Sequence, residues 1–229
     1  MTDSPQDLMK RAAALRAVAE VEDGMVVGLG SGSTAAFALA GLAERVAGGL
    51  RVLGIPTSEA TAALARRLGI PLASLDQHRR IDLTIDGADQ VERGTLHLIK
   101  GLGGALLREK IVATASARLI VAVDESKLVD RLGDRTALPV EIVPFGWQTT
   151  LDRLLALGCA PQLRRAGGQP FSTDGGNYIA DCALREIPDP AALEARLSAV
   201  VGVIETGLFI GLASTIMVGR PAAVEIIER

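Results

Sequence analysis

The sequence predicts an α/β protein: a Rossmann-like parallel sheet with helices on both faces, plus a smaller α+β domain that is ferredoxin-like. Short apolar runs alternate with helical patterns over the first half of the 229 residues, and this order is typical of right-handed βαβ units. The pattern then changes to strands and helices of a different order. Hydrophobic residues make up 48% and aromatic residues only 3% of the chain, so we expect an aliphatic core.

The elements of the first half follow from periodicity and capping signals. The first helix is expected to begin after Ser4, because a hydroxyl N-cap, Pro5 and the carboxylate of Asp7 form a helix start. Strands are predicted at 25–27, 52–55, 81–85, 96–99 and 119–123, and helices at 33–47, 58–68 and 105–115.

After about residue 130 the strands are predicted at 138–143, 162–165, 177–183 and 201–205, with helices at 149–157 and 190–200. Runs at 208–212 and 222–227 are expected to return to the main sheet. We therefore predict a catalytic domain of residues 1–129 and 207–229. Residues 130–206 would form a small domain that acts as a lid or in oligomerisation.

Charge and composition exclude several classes of protein. The formal net charge is −3 and aromatic residues are few, which disfavours a nucleic-acid partner. Two cysteines, Cys159 and Cys182, cannot build a disulfide framework or a four-cysteine zinc site. Residues 24–43 are uncharged, but their glycine- and hydroxyl-rich centre suits a strand-to-helix turn better than a membrane span. Because Met1–Lys10 lacks a secretory signal, we expect a cytoplasmic protein with no membrane partner.

Polar motifs follow four of the predicted strands, at 28–34, 57–58, 86–89 and 100–104. Ligands of an open parallel sheet bind beyond the carboxyl ends of its strands. We therefore expect these motifs to contribute to one site.

The turn from Gly30 to Thr34 would place backbone N–H groups and three hydroxyls at a helix N-terminus, which favours an anion. A dinucleotide fingerprint is excluded because Ser33 occupies the third glycine position, and no lysine follows as a Walker A motif requires. A site for a single phosphate remains. The alternative is a tight turn in which Ser33 is only the helix N-cap.

Asp86 and Asp89 place two carboxylates three residues apart after a buried strand, where they should bind a polyol, water or a cation. Magnesium is an alternative ligand, although neither histidine nor a second acid pair accompanies them. An Asx turn capped by its own side chains is the other alternative.

Lys100 ends a strand before a glycine-rich turn and would supply a point charge to a phosphate or a developing oxyanion. Glu109 lies about one turn inside the next helix, so it can face the same rim. On residue type alone, the alternative is that Glu109 is an ordinary helix-surface residue and that Lys127 is an ordinary loop lysine.

With these residues the sequence resembles the type A ribose-5-phosphate isomerase family. The matching stretches are GLGSGSTA at 28–35, TS at 57–58, DGAD at 86–89, KGLGGALLREK at 100–110, DESK at 124–127, LPVE at 138–141, PFGW at 144–147 and ETGLF at 205–209. Two departures are small: Ser31 stands where many members have threonine, and Leu102 where others have glycine or arginine.

The resemblance implies interconversion of D-ribose 5-phosphate and D-ribulose 5-phosphate through a cis-enediolate, in the non-oxidative pentose phosphate pathway, without metal or organic cofactor. It makes Glu109 the general base, Asp86 and Asp89 the residues that hold sugar hydroxyls and assist proton movement, and Lys100 the stabiliser of the enediolate oxygen. The implied substrate-binding positions are Ser31, Gly32, Ser33, Thr34, Asp86, Gly87, Ala88, Asp89, Lys100, Gly101, Leu102, Gly103 and Lys127. We expect a homo-oligomer, either a homodimer or a tetramer.

Two other functions are weighed against this one. A related sugar-phosphate isomerase or lactonase would enlist a histidine in catalysis, and neither His78 nor His97 is well placed for that. A sugar-phosphate sensor domain of the same fold would not need Glu109.

Overall fold

The computed structural model describes residues 4–229, so the first three residues of the predicted catalytic domain lie outside the described residues. The α-helices of the described chain are α1 Pro5–Val18, α2 Ser33–Ala47, α3 Glu59–Arg67, α4 Leu106–Thr114, α5 Trp147–Ala156 and α6 Pro190–Ser198. Its strands are β1 Val26–Leu29, β2 Leu53–Pro56, β3 Leu83–Asp86, β4 Gln90–Glu92, β5 Leu98–Ile99, β6 Leu119–Asp124, β7 Leu128–Val129, β8 Leu138–Ile142, β9 Ala160–Leu163, β10 Arg165–Ala166, β11 Gln169–Pro170, β12 Tyr178–Ala183, β13 Val203–Thr206, β14 Leu208–Phe209, β15 Thr215–Gly219 and β16 Val224–Glu228.

The chain divides into two compact units. The first unit comprises the described residues up to Ala88 together with Arg108–Lys127 and Leu212–Arg229, and the second comprises Asp89–Leu107 and Leu128–Gly211. This division assigns residues 89–107, 128–129 and 207–211 to the second unit, whereas the sequence-based boundaries assign them to the larger domain.

The first unit contains a six-stranded sheet in the order β16-β15-β6-β3-β1-β2. All its neighbouring strands are parallel except the terminal pair β15 and β16, which is antiparallel. The predicted parallel sheet is therefore confirmed. Strand β15 was not predicted, because residues 206–219 contain no charged residue or proline that would mark where one element ends and the next begins.

Helices cover both faces of this sheet, as predicted. On one face Val27, Leu29 and Leu83 form a buried cluster with residues of α1 and α2. On the other face Val112 of α4 packs with Ile55 and Ile81. Alternate residues of a strand point to opposite faces, so strands buried on both sides are apolar throughout.

The second unit contains a four-stranded antiparallel sheet in the order β13-β8-β12-β9. Helix α5 follows β8 and helix α6 precedes β13, so the order of elements is β-α-β-β-α-β with the short hairpin β10–β11 inserted. This order and the sheet sequence agree with the predicted ferredoxin-like topology. The core of this sheet includes Leu138, Val140, Ile142 and Leu197.

A further sheet of the second unit, in the order β14-β5-β4-β7, corrects two predictions. The run at 96–99 does not join the main sheet, because β5 pairs with β4 and with β14. The run at 208–212 does not return to the main sheet either, since its first two residues form β14. An apolar run indicates burial but not which sheet buries it.

In residues 4–229 there is no helix that combines the length and the apolarity needed to cross a membrane.

Candidate functional site

Three adjacent strands of the first unit, β3, β1 and β2, end at one edge of the sheet, and their last residues bring two predicted motifs together. Asp86, the last residue of β3, is buried, and its Oδ1 accepts hydrogen bonds from the N–H of Ser31 at 3.1 Å and of Gly87 at 2.8 Å. A Cβ at Gly30 would overlap this carboxylate and lie 2.6 Å from Asp86 Cα. The turn after β1 therefore requires glycine at position 30 for the close approach of Asp86.

The hydroxyl of Ser31 lies in a cluster of four hydroxyl groups. Its Oγ is 2.8 Å from Thr57 Oγ1, 2.8 Å from Ser58 Oγ and 3.0 Å from Thr61 Oγ1. Thr61 Oγ1 also donates to the carbonyl of Gly30 at 2.9 Å. This hydroxyl cluster fixes the turn after β1 to the start of α3, so Ser31 has a structural task besides its predicted contact with substrate.

Helix α2 begins immediately after this turn without a side-chain cap. Its N-cap is Gly32, with φ of 95°, a backbone conformation that favours glycine. No hydroxyl of Ser33 or Thr34 hydrogen-bonds another described residue, and Ser33 is exposed. Uncapped N–H groups and two available hydroxyls at a helix N-terminus suit a phosphate group.

Gly87 and Ala88 follow Asp86 and lie near this N-terminus. A Cβ at Gly87 would be 3.6 Å from Thr34 Cβ, which is ordinary van der Waals contact. The first unit thus brings the predicted residues 31–34 and 86–88 together.

Glu109 lies in the first turn of α4, and its neighbours locate that turn at the same edge. Arg108 Nη1 is 2.9 Å from Oε1 of Glu59, the first residue of α3, which directly follows the end of β2. Glu109 is only 6% exposed, so it is not the surface residue that its type suggests. A general base must lie within hydrogen-bond reach of the proton that it removes, so a place at the edge where the polar motifs gather makes Glu109 a candidate for that role.

Lys127 ends the short 3₁₀ helix Glu125–Lys127, which directly follows β6. Strand β6 is the neighbour of β3, so Lys127 also lies at the carboxyl edge of the sheet. The turn is held by Asp124, whose Oδ1 accepts from the N–H of Ser126 at 3.1 Å. A lysine at this edge adds positive charge suited to a phosphate.

The other predicted residues belong to the second unit, where they surround the turn from Lys100 to Gly104. Lys100 is 3% exposed, and its Nζ lies 5.4 Å from the centre of the Phe209 ring, a cation–π distance. Asp89 Oδ2 accepts from the N–H of Leu102 at 2.9 Å. The second unit thus brings Asp89 together with the predicted residues 100–103.

Metal ligands are not gathered at either group of residues. Across residues 4–229, no three side chains of His, Cys, Asp or Glu are placed so that they would hold a metal ion.

Two residues of these groups lie outside the predicted motifs. Thr61 is part of the hydroxyl cluster, and its position three residues after the N-cap Ser58 is the available sequence signal. Arg164 donates to the carbonyls of Gly101 and Leu102, and no sequence pattern connects residues so far apart in the chain.

Comparison with known proteins relates these groups to one enzyme family. The family model described as ribose 5-phosphate isomerase A (phosphoriboisomerase A) matches residues 53–223. The ribose-5-phosphate isomerase A of Gloeobacter violaceus is 58% identical over 221 residues, which cover 96% of each chain. The protein of the same name from Synechococcus sp. is 53% identical, covering 97% of this chain and 98% of the relative.

Solved structures agree with the sequence relatives. A D-ribose-5-phosphate isomerase in complex with phospho-erythronic acid superimposes with a TM-score of 0.95 at 40% identity, covering 98% of this chain and 99% of that one. The ribose 5-phosphate isomerase A of Methanocaldococcus jannaschii gives a TM-score of 0.93 at 38% identity, covering 97% and 99%. The chain belongs to the ribose 5-phosphate isomerase A family.

Proposed function

We propose that this protein interconverts D-ribose 5-phosphate and D-ribulose 5-phosphate through a cis-enediolate, as an enzyme of the non-oxidative pentose phosphate pathway. The observation that carries the proposal is the match, at 58% identity over nearly the whole chain, to a relative named ribose-5-phosphate isomerase A. A chemical argument also supports it, because the reaction needs a base and the carboxylate of Glu109 is buried at the edge of the sheet where α2 begins.

Glu109 is the proposed general base. Its carboxylate removes the proton from C2 of the open-chain aldose, and the electrons of that C–H bond form the C1=C2 double bond while the carbonyl electrons move to O1. After a proton passes from O2 to O1, the Glu109 carboxylic acid returns its proton to C1, and C2 becomes the ketone. Positioned acid–base catalysis of this kind contributes about 10²–10⁴-fold to the rate.

The negative charge that develops on oxygen needs a positive partner. We assign this task to Lys100 and to the neighbouring N–H groups of Gly101 and Gly103, because donors fixed before the reaction stabilise a developing oxyanion. The N–H of Leu102 is already donated to Asp89 Oδ2. Lys100 is buried, which strengthens its electrostatic effect.

Asp86 and Asp89 are proposed to hold the sugar hydroxyls and O1 and to assist ring opening and proton transfer between oxygens, with Gly87 and Ala88 beside the sugar. Asp86 Oδ1 and Asp89 Oδ2 each accept a backbone N–H, which keeps both carboxylates in a defined orientation. Orientation of this kind is a large part of what an isomerase supplies to its substrate.

The phosphate is proposed to bind at the N-terminus of α2 and Lys127. The hydroxyls of Ser33 and Thr34 and the N–H groups after Gly32 would contact it directly. Ser31 contributes by holding the turn in place, because its hydroxyl is engaged in the hydroxyl cluster and its N–H donates to Asp86 Oδ1.

The test is to incubate the purified, chelator-treated protein with ribose 5-phosphate and to follow ketopentose formation. Activity that persists without divalent metal is the expected result, since Lys100 and the N–H donors supply the positive charge. Loss of activity that added Mg²⁺ restores would favour the cation interpretation of Asp86 and Asp89. Binding of ribose 5-phosphate without turnover would favour a sensor domain, an alternative that the isomerase relatives do not favour.

We further infer that the protein acts in the cytoplasm as a homodimer or tetramer. The phenyl ring of Phe145 is 93% exposed and Val201 is 77% exposed, and their burial on association would be favourable. Both cysteines are free thiols, as is usual in the reducing cytoplasm. Light scattering at several protein concentrations measures the mass, and a monomer throughout would contradict the inference.

A further inference from the structure

Arg164 of the second unit holds the turn that follows Lys100. It lies between β9 and β10, and its Nη1 donates to the carbonyl oxygens of Gly101 and Leu102, both at 2.9 Å. Its Nε donates to Asp181 Oδ2 at 2.9 Å, and its Nη2 donates to the other oxygen of the same carboxylate. One guanidinium therefore joins a strand of the ferredoxin-like sheet to two consecutive carbonyls of the glycine-rich turn.

The guanidinium of Arg164 also packs against an aromatic ring. The Arg164 guanidinium carbon is 5.9 Å from the centre of the Phe171 ring, and the N–H of Phe171 donates to the Arg164 carbonyl at 2.9 Å. The same ring borders the turn, since a Cβ at Gly104 would lie 2.6 Å from Phe171 Cε1. A planar fork that binds a carboxylate through two bonds and stacks on a ring is specific to arginine, and lysine cannot reproduce it.

These bonds determine the orientation of two successive peptide groups. The peptide between Gly101 and Leu102 is fixed at both ends, by Arg164 at its carbonyl and by Asp89 Oδ2 at its N–H. In the next peptide the Leu102 carbonyl is bound to Arg164, so the N–H of Gly103 points in the opposite direction, because a trans peptide is planar. Among the described residues no acceptor bonds this N–H.

We propose that Arg164, held by Asp181, is a positioning residue that keeps the Gly103 N–H and the backbone after Lys100 oriented for the enediolate oxygen. This inference rests on the proposed function. The guanidinium of Arg164 is engaged by the carbonyls of the turn and by Asp181, so its effect is on the geometry of the donors. A donor that preferentially stabilises the transition state changes kcat more than KM.

The test compares Arg164→Met with Arg165→Met, a matched control that removes the same charge from the adjacent, exposed residue. Arg164→Met is expected to lower kcat on the order of 10²-fold, the cost of misplacing a catalytic group by about 1 Å, while KM changes less than about threefold. Inhibition by phospho-erythronic acid, whose carboxylate presents two oxygens as the enediolate does, should weaken by a similar factor. Arg165→Met should leave all three quantities unchanged.

Two more variants separate positioning from folding. Arg164→Lys should restore the Tm but less than about a tenth of the lost kcat, because one ammonium cannot bind both carbonyls and the carboxylate. Asp181→Asn retains the arginine and should lower kcat by a smaller factor than Arg164→Met. If Arg164→Met does not fold, the kcat of Asp181→Asn becomes the test of the positioning role.

Folded Arg164→Met with kcat within about twofold of the wild type, or full rescue by lysine, would overturn the inference. A loss of kcat that only follows the fraction of folded protein would overturn it as well. An inactive wild type would instead refute the proposed function.

Discussion

Replacement of Ser31 by alanine separates the structural task of this residue from ligand binding. The substitution removes the hydroxyl that lies within 3.0 Å of Thr57, Ser58 and Thr61. Each of these three keeps another partner: Thr57 donates to the Leu29 carbonyl at 3.0 Å, Thr61 to the Gly30 carbonyl, and Ser58 bonds Thr61. No buried donor is therefore left without an acceptor within this cluster.

The expected cost follows from that arrangement. Three bonds at about 0.5–1.5 kcal/mol each give an upper range, and the remaining partners compensate part of it, so we expect a loss of about 1–2 kcal/mol. In a chain of this size that corresponds to a fall in Tm of roughly 2–8 °C. Because the Ser31 hydroxyl is engaged within the protein, KM for ribose 5-phosphate should rise less than about threefold.

Thr34→Val is the matched comparison, since it removes a hydroxyl that hydrogen-bonds no other described residue. Its Tm should stay within about 1 °C, while the loss of a bond to a charged phosphate, about 1.5 kcal/mol, raises KM about tenfold. Differential scanning calorimetry and the ketopentose assay measure the two quantities on the same preparations. A tenfold rise in KM for Ser31→Ala with an unchanged Tm would refute the reasoning, because the hydroxyl would then act on the ligand directly.

Three further predictions concern other parts of the first unit. Glu109→Gln should lower kcat about 10²–10⁴-fold in the same assay with little change in KM, and near-normal turnover would remove Glu109 from the role of base. Gly30→Ala should cost about 1–3 kcal/mol by calorimetry, because its Cβ collides with Asp86, and an unchanged Tm would contradict this packing. The hydrogen-bonded guanidinium of Arg51 lowers the pKa of Asp23 from 3.8 to about 2. The ion pair therefore stabilises the fold fully at pH values above 3.8, and this stabilisation is lost as the pH falls toward 2. Asp23→Asn should therefore lower the Tm at neutral pH and not near pH 2. An equal difference in Tm between variant and wild type at the two pH values would show that the ion pair does not cause the loss of stability.

Local signals predicted much of the fold because they act over a few residues. Ser4 caps α1 through a side-chain oxygen that accepts from the N–H of Asp7, as its capping pattern predicted. The alternation of strands and helices predicted the parallel sheet, since connections in such folds are short and right-handed.

Long-range pairing was outside the reach of those signals. The two residues of β5 and the two of β14 are too few to specify a partner, and only the folded chain shows that they pair with each other. The same limit applies to Arg164, which lies more than sixty residues from the carbonyls that it holds. For Ser31, a hydroxyl in a glycine-rich turn predicts a ligand contact and a structural contact equally well.

Isomerisation of ribose 5-phosphate in D₂O, followed by NMR with chelator-treated enzyme, is the most direct test of metal-free enolisation by Glu109. Deuterium should enter C1 of the ribulose 5-phosphate formed by the wild type, because a carboxylate that has taken the C2 proton can exchange it with solvent before returning it. Glu109→Gln should lower both turnover and deuterium incorporation about 10²–10⁴-fold. Product formed with its hydrogen wholly retained, at a rate that depends on added metal, would contradict the account.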